Sequence, residues 1–282
     1  MSDLNKEIGV RKEFLICVDS DGCAIDTMEV KHVKCFGPCM VEVWGLQQWE
    51  DEILDRWNVI NLYSMTRGIN RFKGLLMALQ EIDKKYTPIE GLDDFYDWCE
   101  ITSQLSNKSL EEEINKVDSV CLKKALEWSN AVNASIKKLP NEEKKAFVGV
   151  KEALAKVKEE ANIAVVSSAN REAVLEEWEE HGLLEYVDVI FAQDAGTKSK
   201  CIADLLELGY NRVNVVMVGD APGDYDAATK NGVFFYPILV KKETQSWKEF
   251  EENGWSHLKE GTYAGAYASE KYRQFKENLS AK

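Results

Sequence analysis

From residue 150 onward, stretches with helical spacing alternate with short, strongly apolar segments. Val150–Glu160, Arg171–His181, Lys200–Leu208 and a segment near Tyr225–Lys230 have helical spacing. They lead in turn to the apolar runs Ile163–Val166, Val187–Phe191, Val213–Val218 and Val233–Tyr236. A run of this kind, bounded by polar loops, predicts a strand buried on both faces. Strands separated by single helices predict a parallel sheet covered by helices on both sides, so the fold class is α/β. Gly182, Gly209 and Gly232 each fall between a helix and the next strand, where glycine ends helices by taking left-handed backbone angles. The early run Phe14–Val18, which ends in Asp-Ser-Asp-Gly, predicts one more strand of the same sheet.

Residues from about 30 to 147 break this rhythm. They are rich in Trp, Leu, Glu and Lys, with helical spacing in Val59–Met65, Arg71–Ile82, Leu92–Leu105 and Leu110–Leu126. Breaks fall at Thr87-Pro88, Glu90-Gly91 and Leu139-Pro140-Asn141. The expected organisation is a discontinuous sheet domain, residues 1–30 and 148–282, interrupted by a helical domain over 31–147. The tail from Ser246 is amphipathic and aromatic, and is expected to pack on the outside of the sheet domain.

Charge narrows the function. Lys plus Arg number 35 against 49 Asp plus Glu, for a net charge of −14. That excess repels nucleic acid and anionic membrane surfaces, so neither is an expected partner. An anionic substrate would need local positive charge, which a divalent cation supplies. The seven cysteines are odd in number and include no CxxC pair, which fits a reducing cytoplasmic setting better than a disulfide framework. The first fourteen residues carry charges throughout and lack an apolar signal core. No apolar run approaches the ~18 residues that a membrane span needs.

Four strand ends carry four chemically distinct loops, and ligands gather at the carboxyl ends of parallel strands. Asp19-Ser20-Asp21-Gly22, followed by Asp26-Thr27, sets two carboxylates one residue apart, a pair able to divide nucleophilic and proton-transfer work. Ser167-Ser168-Ala169-Asn170 offers hydroxyls and backbone N–H groups suited to phosphate oxygens. Gly196-Thr197-Lys198-Ser199-Lys200 brings ammonium groups, and Gly219-Asp220-Ala221-Pro222-Gly223-Asp224 brings further acids. Each has a plainer reading when taken alone. Asp-x-Asp-Gly suits a turn, Ser-Ser a helix cap, either lysine a solvated surface, and Asp224 the positive end of a helix. The joint occurrence at four parallel strand ends is what points to chemistry.

Taken together, FLICVDSDGCAIDT (Phe14–Thr27), IAVVSSAN (Ile163–Asn170), GTKSKCI (Gly196–Ile202) and VVMVGDAPGDYDAA (Val215–Ala228) resemble the haloacid dehalogenase superfamily in order and spacing. The resemblance covers about residues 10–30 and 148–245. It implies a Rossmann-like doubly wound parallel sheet with a helical cap inserted after the first strand. It further implies Asp19 as the nucleophile that takes the phosphoryl group, and Asp21 as general acid and then base. Ser167 would hold a phosphate oxygen, and Lys198 would offset negative charge. Mg²⁺ would be bound by Asp19, the backbone carbonyl of Asp21 and Asp220, with Asp224 supporting them.

An aspartate attacking a phosphate dianion needs cations to cancel like-charge repulsion, and oxygen-only donors suit Mg²⁺ rather than zinc. None of the three histidines lies in these loops, which speaks against histidine-based phosphoryl transfer. Resembling dehalogenases and phosphonatases lack an acid at the position of Asp21, which disfavours carbon–halogen and carbon–phosphorus cleavage. Two departures stand out: Ser20 and Cys23 replace the family's usual bulky residue and Thr. Lys198 fits the spacing to Ile202, Leu205 and Leu206, with Lys200 as the alternative two residues on.

The expected activity is a Mg²⁺-dependent phosphatase acting on a small phosphorylated metabolite. The alternatives are a phosphomutase of the same fold and a non-catalytic phosphate- or metal-binding regulator. Substrate contacts are sought at Ser168 and at Lys31, His32, Thr66, Arg67 and Arg71. An arginine at the helix break 64–68 is able to hold a second anionic group in a bidentate pair. The competing reading of Arg67 and Arg71 is two solvated residues one helical turn apart. Trp44, Trp49 and Trp57 read as core of the helical domain.

Overall fold

The computed structural model describes residues 8–280. They fall into two compact units, one of residues 8–27 with 141–280 and the other of residues 28–140.

The first unit is built on a five-stranded, all-parallel sheet. Its strands are β1 (Phe14–Val18), β4 (Ala161–Val166), β5 (Val189–Phe191), β6 (Val215–Gly219) and β7 (Phe234–Pro237), in the spatial order β5-β4-β1-β6-β7. The central strand β1 pairs with β4 on one side and β6 on the other, so all five of its residues are buried. That is why FLICV reads as an unbroken apolar run and not as an alternating one. Crossover helices Val150–Lys158, Arg171–Glu180, Lys198–Leu206 and Pro222–Asn231 separate the strands. Gly182, Gly209 and Gly232 all take positive φ (61°, 93° and 63°), as expected of glycines that close helices.

A short antiparallel pair, β2 (Ile25–Asp26) with β3 (Lys145–Ala146), ties the chain's exit from this unit to its return. The pair explains why the division falls at 27/28 and 140/141, a few residues before 30/31 and 147/148: the returning strand belongs to the sheet unit.

The aromatic tail goes deeper than an outer layer. Trp247, Phe250, Trp255, Leu258 and Tyr263 are buried in the same cluster as Ile16, Val18, Ile163 and Val216. Phe14 meets Trp255 edge-on at 5.2 Å.

The second unit is helical, with Gly37–Trp44, Glu50–Leu62, Arg71–Lys85, Leu92–Ile101, Asn107–Ile114 and Val120–Ile136 around a core of its own. Trp57 and Trp128 pack edge-on at 6.0 Å, and Trp44 and Trp49 flank the cluster half-buried. The single helix expected over Leu110–Leu126 is two helices. The apolar phase runs on through Val117, which packs on the core, but the turn formers Asp118 and Ser119 interrupt the backbone between Ile114 and Val120. Among the described residues no helix is long and apolar enough to cross a membrane.

Candidate active site

The order β5-β4-β1-β6-β7 makes the central strand the point where the chain's direction of progress across the sheet reverses. The carboxyl ends of its neighbours open there. The register sets Val18 beside Val165 of β4 and Val218 of β6, so Asp19, Ser167 and Asp220 leave three adjacent strands almost level.

Asp19 is 5% exposed, and its own amide donates to the Val218 carbonyl at 3.0 Å, extending the ladder by one rung. One carboxylate oxygen accepts the Ser20 amide at 2.8 Å and the other meets the Lys198 ammonium at 2.6 Å. Lys198 reaches Asp224 at the same distance, 2.6 Å. Asp224 is fully buried at the start of helix Pro222–Asn231, where it accepts the Ala221 amide at 3.1 Å. Gly219 makes room for that carboxylate: a Cβ there would lie 2.4 Å from the Asp224 carboxyl carbon.

Carboxylate oxygens of Asp19, Asp220 and Asp224 lie within 4.8 Å of one another. Three buried acids beside one ammonium leave an excess of negative charge. Burial pushes the Asp19 carboxyl up to about 7, opposed by Lys198 and reinforced by Asp224 and Asp21. Asp224 is raised for the same first reason. Burial alone would favour neutral Lys198, but the two carboxylates outweigh it and hold the ammonium well above its ordinary range. An all-oxygen donor set with uncancelled charge fits a hard divalent cation such as Mg²⁺.

Asp21 is half-buried, outside this three-acid cluster, and its carboxylate accepts the Thr27 hydroxyl at 2.7 Å. The turn that separates the two acids is held by one carbonyl: Ser20 accepts the amides of Cys23, Ala24 and Ile25 at 3.2, 3.0 and 2.9 Å. Gly22, at φ 79°, takes the left-handed angle this turn requires.

Ser167 is buried at the end of β4, its amide bonded to the Phe191 carbonyl and its hydroxyl accepting the Ala169 amide at 3.1 Å. Helix Arg171–Glu180 is capped by Asn170, which accepts from Glu172 and Ala173. Neither serine of the Ser-Ser pair therefore serves as the cap, and Ser168 is exposed.

The two lysines separate cleanly. Lys198 joins Asp19, while Lys200 is exposed and pairs with Asp204 one turn on.

Arg67 and Arg71 belong to the helical unit, and neither is the solvated helix residue of the competing reading. Arg67 is buried and donates to the Leu62 carbonyl at 2.9 Å. Arg71 donates to Ser129 and Asn133 at 3.2 and 2.8 Å and lies over the Phe36 ring. Burial lowers the Arg71 pKa from its ordinary value.

Sequence reading misses two residues that touch the Asp19 loop, Trp178 and Trp247. Their indole N–H groups donate to Ser20 Oγ and the Cys23 carbonyl, each at 2.9 Å. Nothing in the spacing of two apolar tryptophans signals such bonds.

The sequence model for haloacid dehalogenase-like hydrolases matches residues 69–238, well over half of the chain, though β1 and the Asp19 loop lie before the match. Among curated proteins no match is found. Similar solved structures include a haloacid dehalogenase-like family hydrolase from Streptococcus pneumoniae, with 11% identity and a TM-score of 0.46 over 83% of this chain and 90% of that one. A predicted phosphatase from Clostridium acetobutylicum is 18% identical, with a TM-score of 0.43 over 81% and 85% of the two chains. A subfamily IA hydrolase from Geobacter sulfurreducens is 15% identical, with a TM-score of 0.40 over 79% and 86%.

Proposed function

The chain belongs to the haloacid dehalogenase-like hydrolase family, and from that premise we propose that it is a Mg²⁺-dependent phosphatase acting on a small phosphomonoester through Asp19. The observation that carries this reading is the Lys198 ammonium at 2.6 Å from both Asp19 and Asp224, inside a buried cluster of three carboxylates. A structural ion pair needs one acid, and a buried excess of two is costly unless a cation is expected there.

Asp19 is the nucleophile. One of its oxygens attacks phosphorus, the P–O bond to the leaving alcohol breaks, and an aspartyl-phosphate forms. Lys198 stays protonated beside the attacking carboxylate and offsets the charge that phosphate brings. Asp21, half-buried and oriented by Thr27, gives its proton to the departing alkoxide. It then takes a proton from the water that attacks the aspartyl-phosphate, which restores both acids and releases inorganic phosphate. Ser167, one residue beyond the level of Asp19 at the end of the next strand, holds a phosphate oxygen through its hydroxyl. Asp19, Asp220 and Asp224 are the side chains that would hold Mg²⁺. When bound, the ion supplies the electrostatic screening that lets carboxylate and phosphate approach.

A panel of phosphomonoesters tests the reading. Phosphate release with Mg²⁺ that stops on adding EDTA is the expected result. Release that EDTA leaves intact would overturn the metal assignment. Isomerised sugar phosphate without free phosphate would replace hydrolysis by mutase chemistry, and no reaction at all would favour a binding protein.

A further inference from the structure

The catalytic reading leaves unexplained how a loop of five small or acidic residues, Asp19 to Cys23, is kept rigid enough to aim two carboxylates. We propose that Trp178 and Trp247 form a clamp on that loop and are positioning residues for the reaction. The inference rests on the phosphatase reading above and deepens it. Both tryptophans are fully buried, and they come from two separate downstream segments of the chain. Trp178 stands on helix Arg171–Glu180, the helix that begins directly after the Ser167 loop. Trp247 stands on helix Glu243–Glu249 in the aromatic tail.

Each donates one hydrogen bond of 2.9 Å to the loop, at its two pivot residues. The Trp178 indole reaches the side chain of Ser20, and Trp247 reaches the carbonyl of Cys23. Ser20 is also the residue whose carbonyl collects the three amides of the turn, and its own amide bonds Asp19. Fixing the Ser20 side chain therefore fixes the peptide that separates Asp19 from Asp21. The same contact ties the nucleophile loop to the helix that follows the Ser167 loop. The Cys23 side chain adds a third tether, a long thiol contact of 3.5 Å to the Val218 carbonyl on β6.

Buried indole N–H groups usually find an acceptor, so pairing by itself is ordinary. Here the choice of acceptors is informative. Indoles of Trp57 and Trp98 in the helical unit are buried with no protein hydrogen-bond partner among the described residues. The two tryptophans beside the Asp19 loop instead both bond it directly. The small residue at position 20 gains a reason as well. A bulky apolar side chain there would fill space but offer Trp178 no acceptor, whereas Ser supplies an oxygen and leaves room for the indole. Positioning of this kind acts on the transition state, because misplacing a nucleophile by a fraction of an ångström lowers its rate without removing substrate contacts.

Steady-state kinetics of W178F, W247F and W255F with p-nitrophenyl phosphate and saturating Mg²⁺ tests the clamp. Trp255 is a buried tryptophan of the same core that packs edge-on against Phe14, so W255F removes the same ring volume elsewhere and is expected to keep wild-type kcat. W178F and W247F should each lower kcat about tenfold, the kinetic equivalent of one lost net hydrogen bond, with KM changed less than twofold. S20A removes the acceptor and leaves Trp178 in place, and should match W178F. The double variant S20A/W178F should lose no more than either single variant. Active wild-type protein with W178F and W247F indistinguishable from W255F would overturn the clamp alone. So would additive losses in the double variant. Wild-type protein without turnover would take away the phosphatase reading and the clamp together.

Discussion

Replacing Lys198 by methionine removes the ammonium that contacts both Asp19 and Asp224 while keeping much of the side chain's length. The two contacts it makes, each 2.6 Å, are worth about 6 kcal/mol apiece as bare Coulomb attraction at an effective dielectric constant near 20. Most of that is offset by the cost of taking three charges out of water. Deleting one partner from a buried ionic group typically costs about 3–5 kcal/mol, because the remaining charges stay buried and uncompensated. Lys200→Met is the matched control. Its partner Asp204 lies one helical turn away at the surface, where solvent screening leaves such a pair little effect on stability. Urea unfolding in EDTA at neutral pH, followed by circular dichroism, should show Lys198→Met lower by roughly 1–2 M in midpoint, taking a slope of about 2–3 kcal/mol per molar. Lys200→Met should overlay the wild type. Saturating Mg²⁺ should narrow the gap for Lys198→Met, since a cation among the carboxylates restores part of the missing charge. Equal stability of the two variants in EDTA would refute the assignment of Lys198 as the cluster's counter-ion. A gap that Mg²⁺ does not narrow would refute the metal site.

Three further outcomes follow from the same geometry. Asp21→Asn should slow hydrolysis of an alkyl phosphate by about 10²–10⁴, and much less for p-nitrophenyl phosphate, whose leaving group departs without a proton; parallel losses for the two substrates would contradict proton donation by Asp21. Gly219→Ala places a methyl group 2.4 Å from the Asp224 carboxyl carbon, which should cost about 1–3 kcal/mol and weaken Mg²⁺ binding. Gly223→Ala, with open space around its Cβ, should do neither when both are measured by unfolding and metal titration. In the metal-free protein, Asp19 holds its proton up to about pH 7 in the folded state and only to its ordinary range when unfolded. The folded state therefore binds more protons across that window, and stability should fall by about 3 kcal/mol as pH rises from 4 to 7. Unfolding in EDTA at a series of pH values would show this decline, and a flat or rising profile would contradict it.

Much of this architecture is legible in the sequence because it depends on local signals. Continuous apolar runs marked β1, β4 and β6 as buried on both faces, and glycines marked helix ends. The four polar loops follow the carboxyl ends of β1, β4, β5 and β6. Legibility fails where the deciding interaction joins distant segments. Lys198 and Lys200 differ in role because one reaches across to β1 and the helix after β6, which spacing alone could only favour. The break between Ile114 and Val120 was hidden by Val117, which keeps the apolar phase through a turn. The Ser20–Trp178 and Cys23–Trp247 bonds span 158 and 224 residues, and no periodicity encodes them. The charges of Arg67 and Arg71 are legible in the sequence but their partners are not: their guanidinium groups bond a carbonyl and side chains of their own helical unit.

The central claim is that a phosphoryl group passes through Asp19. Rapid acid quench of the protein with Mg²⁺ and a ³²P-labelled phosphomonoester, followed by peptide mapping, measures this directly. The account predicts acid-stable, hydroxylamine-sensitive label on the peptide containing Asp19 and none in folded Asp19→Asn. Label on another peptide, or undiminished turnover by Asp19→Asn, would contradict it.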